Sequence, residues 1–322
     1  MADRVGRNDM AAAELQPRTG GRLEAVLRRG DFALTAETSP PDSADPAKVL
    51  ERAGMLKGLA DAVNVTDGAG ARAHMSAQAC AAILAQGGIE PVLQFTVRDR
   101  NRLALQGDLL GAAALGVPNI LCLYGDDPTA GDQPDAKGVY DLDTRGLLHT
   151  ARTMTEGAFP SGRAITPPPG LFIGAADAPR PLDDGWKPEG LLAKIDAGAE
   201  FFQTQYCFDM DVLRRYMARL VDEGVTERAY FLIGIGPLAS AKSARWMNEK
   251  LFGVHIPEAL VTRLDGAQDQ RAEGRAICAE LVQELQDIDG VSGAHLMAPG
   301  GEASIAQVIE DSGVLEARLT SV

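Results

Sequence analysis

The chain has 322 residues, 45% hydrophobic and 24% charged, and carries a net charge of −14. That composition supports a sizeable core, while the acidic balance and 5% aromatic content exclude the basic footprint of a nucleic-acid or anionic-membrane binder. Four dispersed cysteines (Cys80, Cys122, Cys207, Cys278) without a CxxC, and four histidines without HExxH or a paired HxH, together with the lack of any apolar run near the roughly 20 residues of a membrane span, predict a reduced cytoplasmic protein with no metal site.

Residues 1–20 lack the apolar core of a secretion signal and a clear helical stripe, and read as a flexible N-terminal tail. Residues 21–322 are expected to form one domain. Within them, short apolar, β-branched runs alternate with Ala/Leu-rich stretches of helical period, the signature of parallel βα units. The runs are "FALTAE" (32–37), "AVNVTD" (62–67), "PVLQFTV" (91–97), "NILCLYGD" (119–126), "LFIGAA" (171–176), "FFQTQYCF" (201–208), "YFLIGIGP" (230–237) and "GAHLMAP" (293–299). Helix candidates such as "RLALQGDLLGAAALG" and "DMDVLRRYMARLVDEG" lie between them, and several end in glycine. Pro/Gly-rich stretches at 127–138 and 164–186 read as loops, and the long interval after the seventh run should hold two or three helices. Eight strand–helix repeats predict a (β/α)8 barrel in preference to an open doubly wound sheet. The sequence has neither GxGxxG after the first strand nor GxxxxGK[ST], so the usual nucleotide phosphate cradles are missing.

In such a barrel the chemistry belongs at the C-terminal ends of the strands. Glu37 ends the first, Thr66 and Asp67 the second, Gln94 and Thr96 the third and Asp126 the fourth, while Gln205 sits inside the sixth. This list is rich in acids and amides and almost free of cations. Two carboxylates near one apolar mouth would repel and raise at least one pKa, and Glu37 is the better candidate acid, with Pro40 and Pro41 fixing the direction of the chain beyond it. Against this, Glu37 could cap a helix or pair with a lysine, Asp126 in "YGDDP" could be an N-cap or Asx-turn, and Gln205 a satisfied core amide. "RDRNR" (98–102) reads as a solvated or salt-bridged surface, and His74 and His149 as helix-face residues.

Taken in order, the strand ends carry a resemblance. The chain is similar to the 5,10-methylenetetrahydrofolate reductase family, whose F-E-F-F-P-P, V-T-Y-G-A, H-L-T-C and L-R-G-D correspond to "AETSPP", "VTDGA", "QFTV" and "LYGD". The family's D-A-G-A, T-Q-F-x-F-D and P-G-I-x-P correspond to "DAGAEFFQTQYCFD" and "IGIGP". The resemblance implies a flavin-dependent barrel interconverting 5,10-methylenetetrahydrofolate and 5-methyltetrahydrofolate with NAD(P)H. It implies Glu37 as the acid protonating folate N5, Asp126 favouring the cationic intermediate, and Asp126 and Gln205 contacting substrate. Thr66, Asp67, Ala69, Gln94, Tyr124, Gly125, Asp126, Asp141, Ala176 and Lys194 fall at the family's flavin contacts. FAD is the expected cofactor. The departures (Gln94 for His, Asp67 for Tyr, Tyr124 for Arg, and "AADAPRPLDD" after strand five) keep FMN and direct hydride transfer from NAD(P)H open. The other readings are a folate-binding partner subunit without redox activity, and a lyase or aldolase using Lys194 as a Schiff-base lysine. Oligomeric state is open between a homo-oligomer and a complex with a partner subunit.

Overall fold

The computed structural model describes residues 19–320, with side chains described as far as 317. The tail expected at 1–20 therefore lies outside the described residues except for Thr19 and Gly20. Eight parallel strands close in sequence order into a barrel: β1 (Ala33–Thr38), β2 (Ala62–Val65), β3 (Pro91–Thr96), β4 (Asn119–Leu123), β5 (Phe172–Asp177), β6 (Phe201–Tyr206), β7 (Tyr230–Ile235) and β8 (Val291–Leu296). Around them run α1 (Arg22–Arg28), α2 (Ala47–Ala53), α3 (Ala77–Gln86), α4 (Arg102–Ala114), α5 (Thr144–Thr155), α6 (Glu189–Asp196) and α7 (Met210–Asp222). Then come α8 (Ala241–Lys250), α9 (Glu258–Gly266), α10 (Gln270–Leu285), α11 (Glu302–Asp311) and α12 (Val314–Thr320). All eight expected strands form, and the long interval after β7 holds α8, α9 and α10. No helix among the described residues is long and apolar enough to cross a membrane.

Alternation along each strand sorts side chains into two cores. Outward-facing residues such as Leu34, Val63, Phe95, Ile120 and Ile233 pack against the helices. Inward-facing Ala62, Val92, Leu121, Phe172, Phe201, Tyr230 and Leu232 fill the N-terminal half of the barrel. Helix α1, which the strand-and-helix pattern did not anticipate, closes that end. Leu23, Val26 and Leu27 join the inner cluster, the Glu90 carboxylate accepts from the N–H of Leu23 at 2.9 Å and from that of Arg22, and Asp61 accepts from Arg22 Nε at 3.0 Å and from Leu34 N at 2.8 Å. A carboxylate on a helix N-terminus satisfies donors that have no partner within the helix and suits the helix dipole.

Above the apolar layer lies a polar one. Asn64 on β2 and Gln203 on β6 face each other across the barrel and exchange amide hydrogen bonds, Asn64 Nδ2 to Gln203 Oε1 at 2.6 Å and Gln203 Nε2 to Asn64 Oδ1 at 2.9 Å. Gln203 Nε2 also donates to Thr35 Oγ1 at 3.0 Å, and that hydroxyl lies 3.0 Å from His295 Nδ1. All four residues are at most 2% exposed, so every one of these bonds replaces water that the groups have lost. The four cysteines are buried and unpaired, and burial raises their thiols, those of Cys80 and Cys207 to about 12.

Candidate functional site

Glu37 sits one layer above this polar plane, at the C-terminal end of β1, with its side chain 18% exposed. The chain leaves the barrel through Pro40 and Pro41, both buried, and Pro41 O accepts from Met75 N at 3.1 Å. Thr38 is tied to the buried Glu302 of α11 at 2.7 Å. The exit is thus held on both sides. Gln94 Nε2 donates to Glu37 Oε2 at 2.8 Å, and His295 Nε2 faces the same oxygen at 3.8 Å. Thr35 Oγ1 lies 3.0 Å from His295 Nδ1 and 3.4 Å from Ala294 O, and Gln203 Nε2, which can only donate, faces the same Nδ1 at 3.4 Å; these neighbours suit the tautomer with Nδ1 as acceptor and the proton on Nε2, toward Glu37. With both neighbours on Oε2, Oε1 has no partner among the described residues.

A β-bulge completes the mouth. Gln203 pairs with Leu232, but the next partner of the inward-facing Gly234 is Tyr206, so an extra residue puts Tyr206 in the position that simple alternation gives Gln205. The close approach demands glycine at 234, where a Cβ would lie 2.1 Å from Thr204 O. Tyr206 Oη donates to Met297 O at 3.1 Å, and burial, reinforced by the charge of Glu37, raises its pKa. The interior amide is therefore Gln203. Gln205 bends back, its Oε1 accepting from Tyr206 N at 2.9 Å, with its Nε2 unbonded among the described residues.

The groups around Glu37 are thus an amide, an imidazole and a phenol, where the strand ends suggested a second carboxylate. Asp126 is exposed and accepts from Gly70 N at 2.6 Å; it makes no bond to Glu37. Asp67 accepts from Thr96 N and Oγ1, both at 2.9 Å, and is paired with Arg100. That pairing corrects the expectation of a mouth almost free of cations. Arg100 also lies over the Phe95 ring, 4.4 Å from its centroid. Arg98, expected on a solvated or salt-bridged surface, is ion-paired with Asp99 at 2.7 Å, but it is only 5% exposed and donates through Nη1 to Gly68 O at 3.1 Å and Asp126 O at 3.3 Å, because the turn after β3 folds back over the β2 and β4 loops. His74 lies in a loop, not on a helix, and its Nε2 accepts from Gly68 N at 3.0 Å.

Among the other expected cofactor positions, Lys194 Nζ donates to Ala176 O at 2.7 Å, joining two residues named from the sequence. Asp141 is occupied at the surface by Arg102, with contacts of 2.8 Å to Nε and 2.8 Å to Nη2. Ala69 sits in the exposed loop after β2. Gly125 adopts φ +94° against Thr96 and Arg98. Tyr124 is exposed and stacks on Tyr140 with centroids 4.7 Å apart. The hydroxyl of Thr66 is buried with no partner among the described residues. His295, Tyr206 and Gln203 were missed as site residues, although in "GAHLMAP" the inward parity of His295 could be read from Gly293.

Beside Lys194, the Asp177 carboxyl takes a 2.8 Å hydrogen bond from Tyr216 Oη. Burial pushes this carboxyl up, against the pull of Tyr216 and Lys194, and burial pushes Lys194 down; each attracts the other, but desolvation is the larger effect. A carboxyl whose folded pKa is raised contributes stability fully below its unfolded value and loses it as pH rises through the folded one. Asp177→Asn should therefore gain stability relative to the native chain as pH is raised from about 4 to about 7. Parallel unfolding midpoints of the two proteins across that range would show that burial does not govern this carboxyl.

The family model described as methylenetetrahydrofolate reductase matches residues 22–313, which takes in the eight strands and every site residue placed above. The chain belongs to the methylenetetrahydrofolate reductase family. It is 26% identical to "5,10-methylenetetrahydrofolate reductase" of Pectobacterium carotovorum subsp. carotovorum over 278 residues, covering 83% of this chain and 85% of that one. It is 26% identical to "Probable methylenetetrahydrofolate reductase (NADPH)" of Caenorhabditis elegans over 243 residues, covering 74% of this chain and 34% of that one. The chain thus spans about a third of the length of that eukaryotic relative. Among solved structures, an uncharacterized protein from Clostridium thermocellum that binds two copies of 5-methyl-5,6,7,8-tetrahydrofolic acid superposes with a TM-score of 0.61 at 12% identity, over 92% of this chain and 99% of that one. That likeness is one of fold. Within the family's barrel, Glu37, Gln94, His295 and Tyr206 are brought together at the C-terminal ends of the strands.

Proposed function

We propose that this protein is an oxidoreductase of reduced folates, interconverting 5,10-methylenetetrahydrofolate and 5-methyltetrahydrofolate with NAD(P)H, and that Glu37 is its general acid. The observation that carries the reading is a single carboxyl at the end of β1, braced by Gln94 and His295 on one oxygen and open on the other, in a chain of this family.

Electron balance refines where the proton goes. Opening the five-membered ring breaks the bond between the methylene carbon and N10; that electron pair stays on N10 and takes a proton, while the N5 lone pair forms the iminium. The acid therefore serves N10, in place of the N5 suggested by the sequence. Hydride then lands on the methylene carbon, giving the 5-methyl group and NAD(P)+. Gln94 and His295 hold the carboxyl in one rotamer, so orientation is settled before substrate arrives. The cationic intermediate is better tolerated beside a carboxylate and neutral donors than beside the guanidinium groups, which Asp67 and Asp99 neutralise.

A flavin fits this chain at its ring end: the unpartnered Thr66 hydroxyl, the exposed Tyr124 ring and the Gly125 backbone would hold it. Asp67, Asp141 and Lys194, each engaged within the chain, would have to change partners to reach it. When bound, a flavin supplies the two-electron relay between dinucleotide and folate. The test is the visible spectrum of the purified protein together with turnover of NADH or NADPH with methylenetetrahydrofolate. A yellow, active protein is expected. Colourless, active protein would point to direct transfer from the dinucleotide, and protein inert even after flavin reconstitution would overturn the reading.

A further inference from the structure

A second feature of the catalytic end lies between the loops after β7 and β8. There a cleft of about 390 Å³ is walled by Tyr206, Trp246, Met297 and Ser304 and bordered by Arg271 and Arg275. No carboxylate lines it, although the chain has 45 acidic residues against 31 basic ones. Arg271 and Arg275 stand one helical turn apart on α10, on the same face. Neither guanidinium has a hydrogen-bond or ion-pair partner among the described residues, whereas Arg263 of the neighbouring α9 is held by Glu273 and Glu280. Their position is fixed by the backbone between them. Gly274 packs so closely on the β7 loop that a Cβ there would lie 1.8 Å from Leu238 O, and Gln270 Oε1 accepts from Ala241 N at 3.1 Å, which pins the start of α10 to the start of α8.

Tyr206 is common to the two places. It lines the cleft with Met297, and its hydroxyl donates to Met297 O at 3.1 Å, two residues along the chain from the His295 that faces Glu37 at 3.8 Å. A ligand whose reacting ring sits at Glu37 can therefore extend past Tyr206 into the cleft without leaving the mouth. A folate has that shape: a pterin, an aromatic spacer, then a glutamyl group with two carboxylates. We infer that the cleft between the β7 and β8 loops seats the glutamyl end of the reduced folate, with Arg271 and Arg275 holding its carboxylates and the aromatic spacer lying against Tyr206. This rests on the folate reading of the Glu37 site. Guanidinium groups suit carboxylates because their N–H donors match the two oxygens, and such charge-assisted bonds exceed neutral ones in strength.

The experiment titrates 5-methyltetrahydrofolate, and the same compound with both glutamyl carboxylates converted to amides, into the native protein and into Arg271→Gln/Arg275→Gln by calorimetry at low salt, where exposed charges are least screened. The native protein should bind the acid about ten-fold more tightly than the diamide, and the double variant should bind both alike. Arg271→Lys/Arg275→Lys should recover part of the preference, which a misfolded variant would not. Equal binding of acid and diamide by the native protein would overturn the subsite while leaving the folate reading intact. Failure to bind either compound would overturn both. If the Arg→Gln pair instead weakened NADPH or NADH and kept its preference for the acid, the cleft would belong to dinucleotide phosphates and the inference would fall.

Discussion

Glu37→Gln should slow folate turnover by about 10²- to 10⁴-fold, the usual worth of a positioned general acid, while oxidation of NAD(P)H by an artificial electron acceptor continues. Glutamine keeps the shape of the side chain and can still lie beside Gln94 and His295, so the fold and the mouth are preserved. What is lost is the carboxyl group proposed to deliver the proton. Opening the folate ring requires that proton; passing hydride from a dinucleotide to an acceptor does not. Steady-state assays of the two half-reactions would separate these cases. Equal loss in both would place Glu37 outside acid catalysis and make it a structural anchor. A companion change, His295→Gln, removes only the group behind Glu37. It should lower kcat for folate turnover less than the loss of the acid itself and spare NAD(P)H oxidation by the artificial acceptor, which a loss of fold would not.

Gln203→Leu should cost about 2–6 kcal/mol of stability, from two buried polar atoms on Asn64 left without partners at about 1–3 kcal/mol each. Leucine fills nearly the same volume, so the cavity contribution is small and the loss is one of hydrogen bonding. Against a typical total of about 5–15 kcal/mol for a folded domain, this is a large fraction. The double change Asn64→Leu/Gln203→Leu should restore most of it, because removing both partners leaves no orphan. Urea unfolding midpoints of the single and double variants form the test. A single variant as stable as the native chain would mean that water or Thr35 replaces the lost amide, and that the polar layer is soft.

The parts of the fold written in local pattern were the legible ones. Each strand is a short run such as "YFLIGI" whose period and β-branching leave little alternative, and the register around the barrel follows from closure. Helix α1 was not legible: "RLEAVLR" is only about two turns with no apolar strand-like run ahead of it in the sequence, and its reason for existing is the apolar ring of Phe172, Phe201 and Tyr230 that it covers. The site divided along the same line. Glu37 and Gln94 were found because strictly alternating strands deliver side chains where parity says. Gln205 was assigned the interior because parity fails at the β6 bulge, whose cause is the glycine opposite, at 234, on another strand. Arg98 and Arg100 read as a solvated or salt-bridged surface: the ion pairing is there, to Asp99 and Asp67, but a sequence does not show the fold-back that buries Arg98 and brings Asp67 and the carbonyls of Gly68 and Asp126 to them.

The stopper that α1 forms beneath the barrel has a consequence for traffic. With that end packed shut, whatever reaches Glu37 and whatever leaves it use the same opening, and a ligand lying in that opening stands between the carboxyl and bulk water. On the role proposed for Glu37, the acid would regain a spent proton only once the opening clears. Recharging and product departure are then a single event, and a product analogue that lingers would hold the protein in its discharged form.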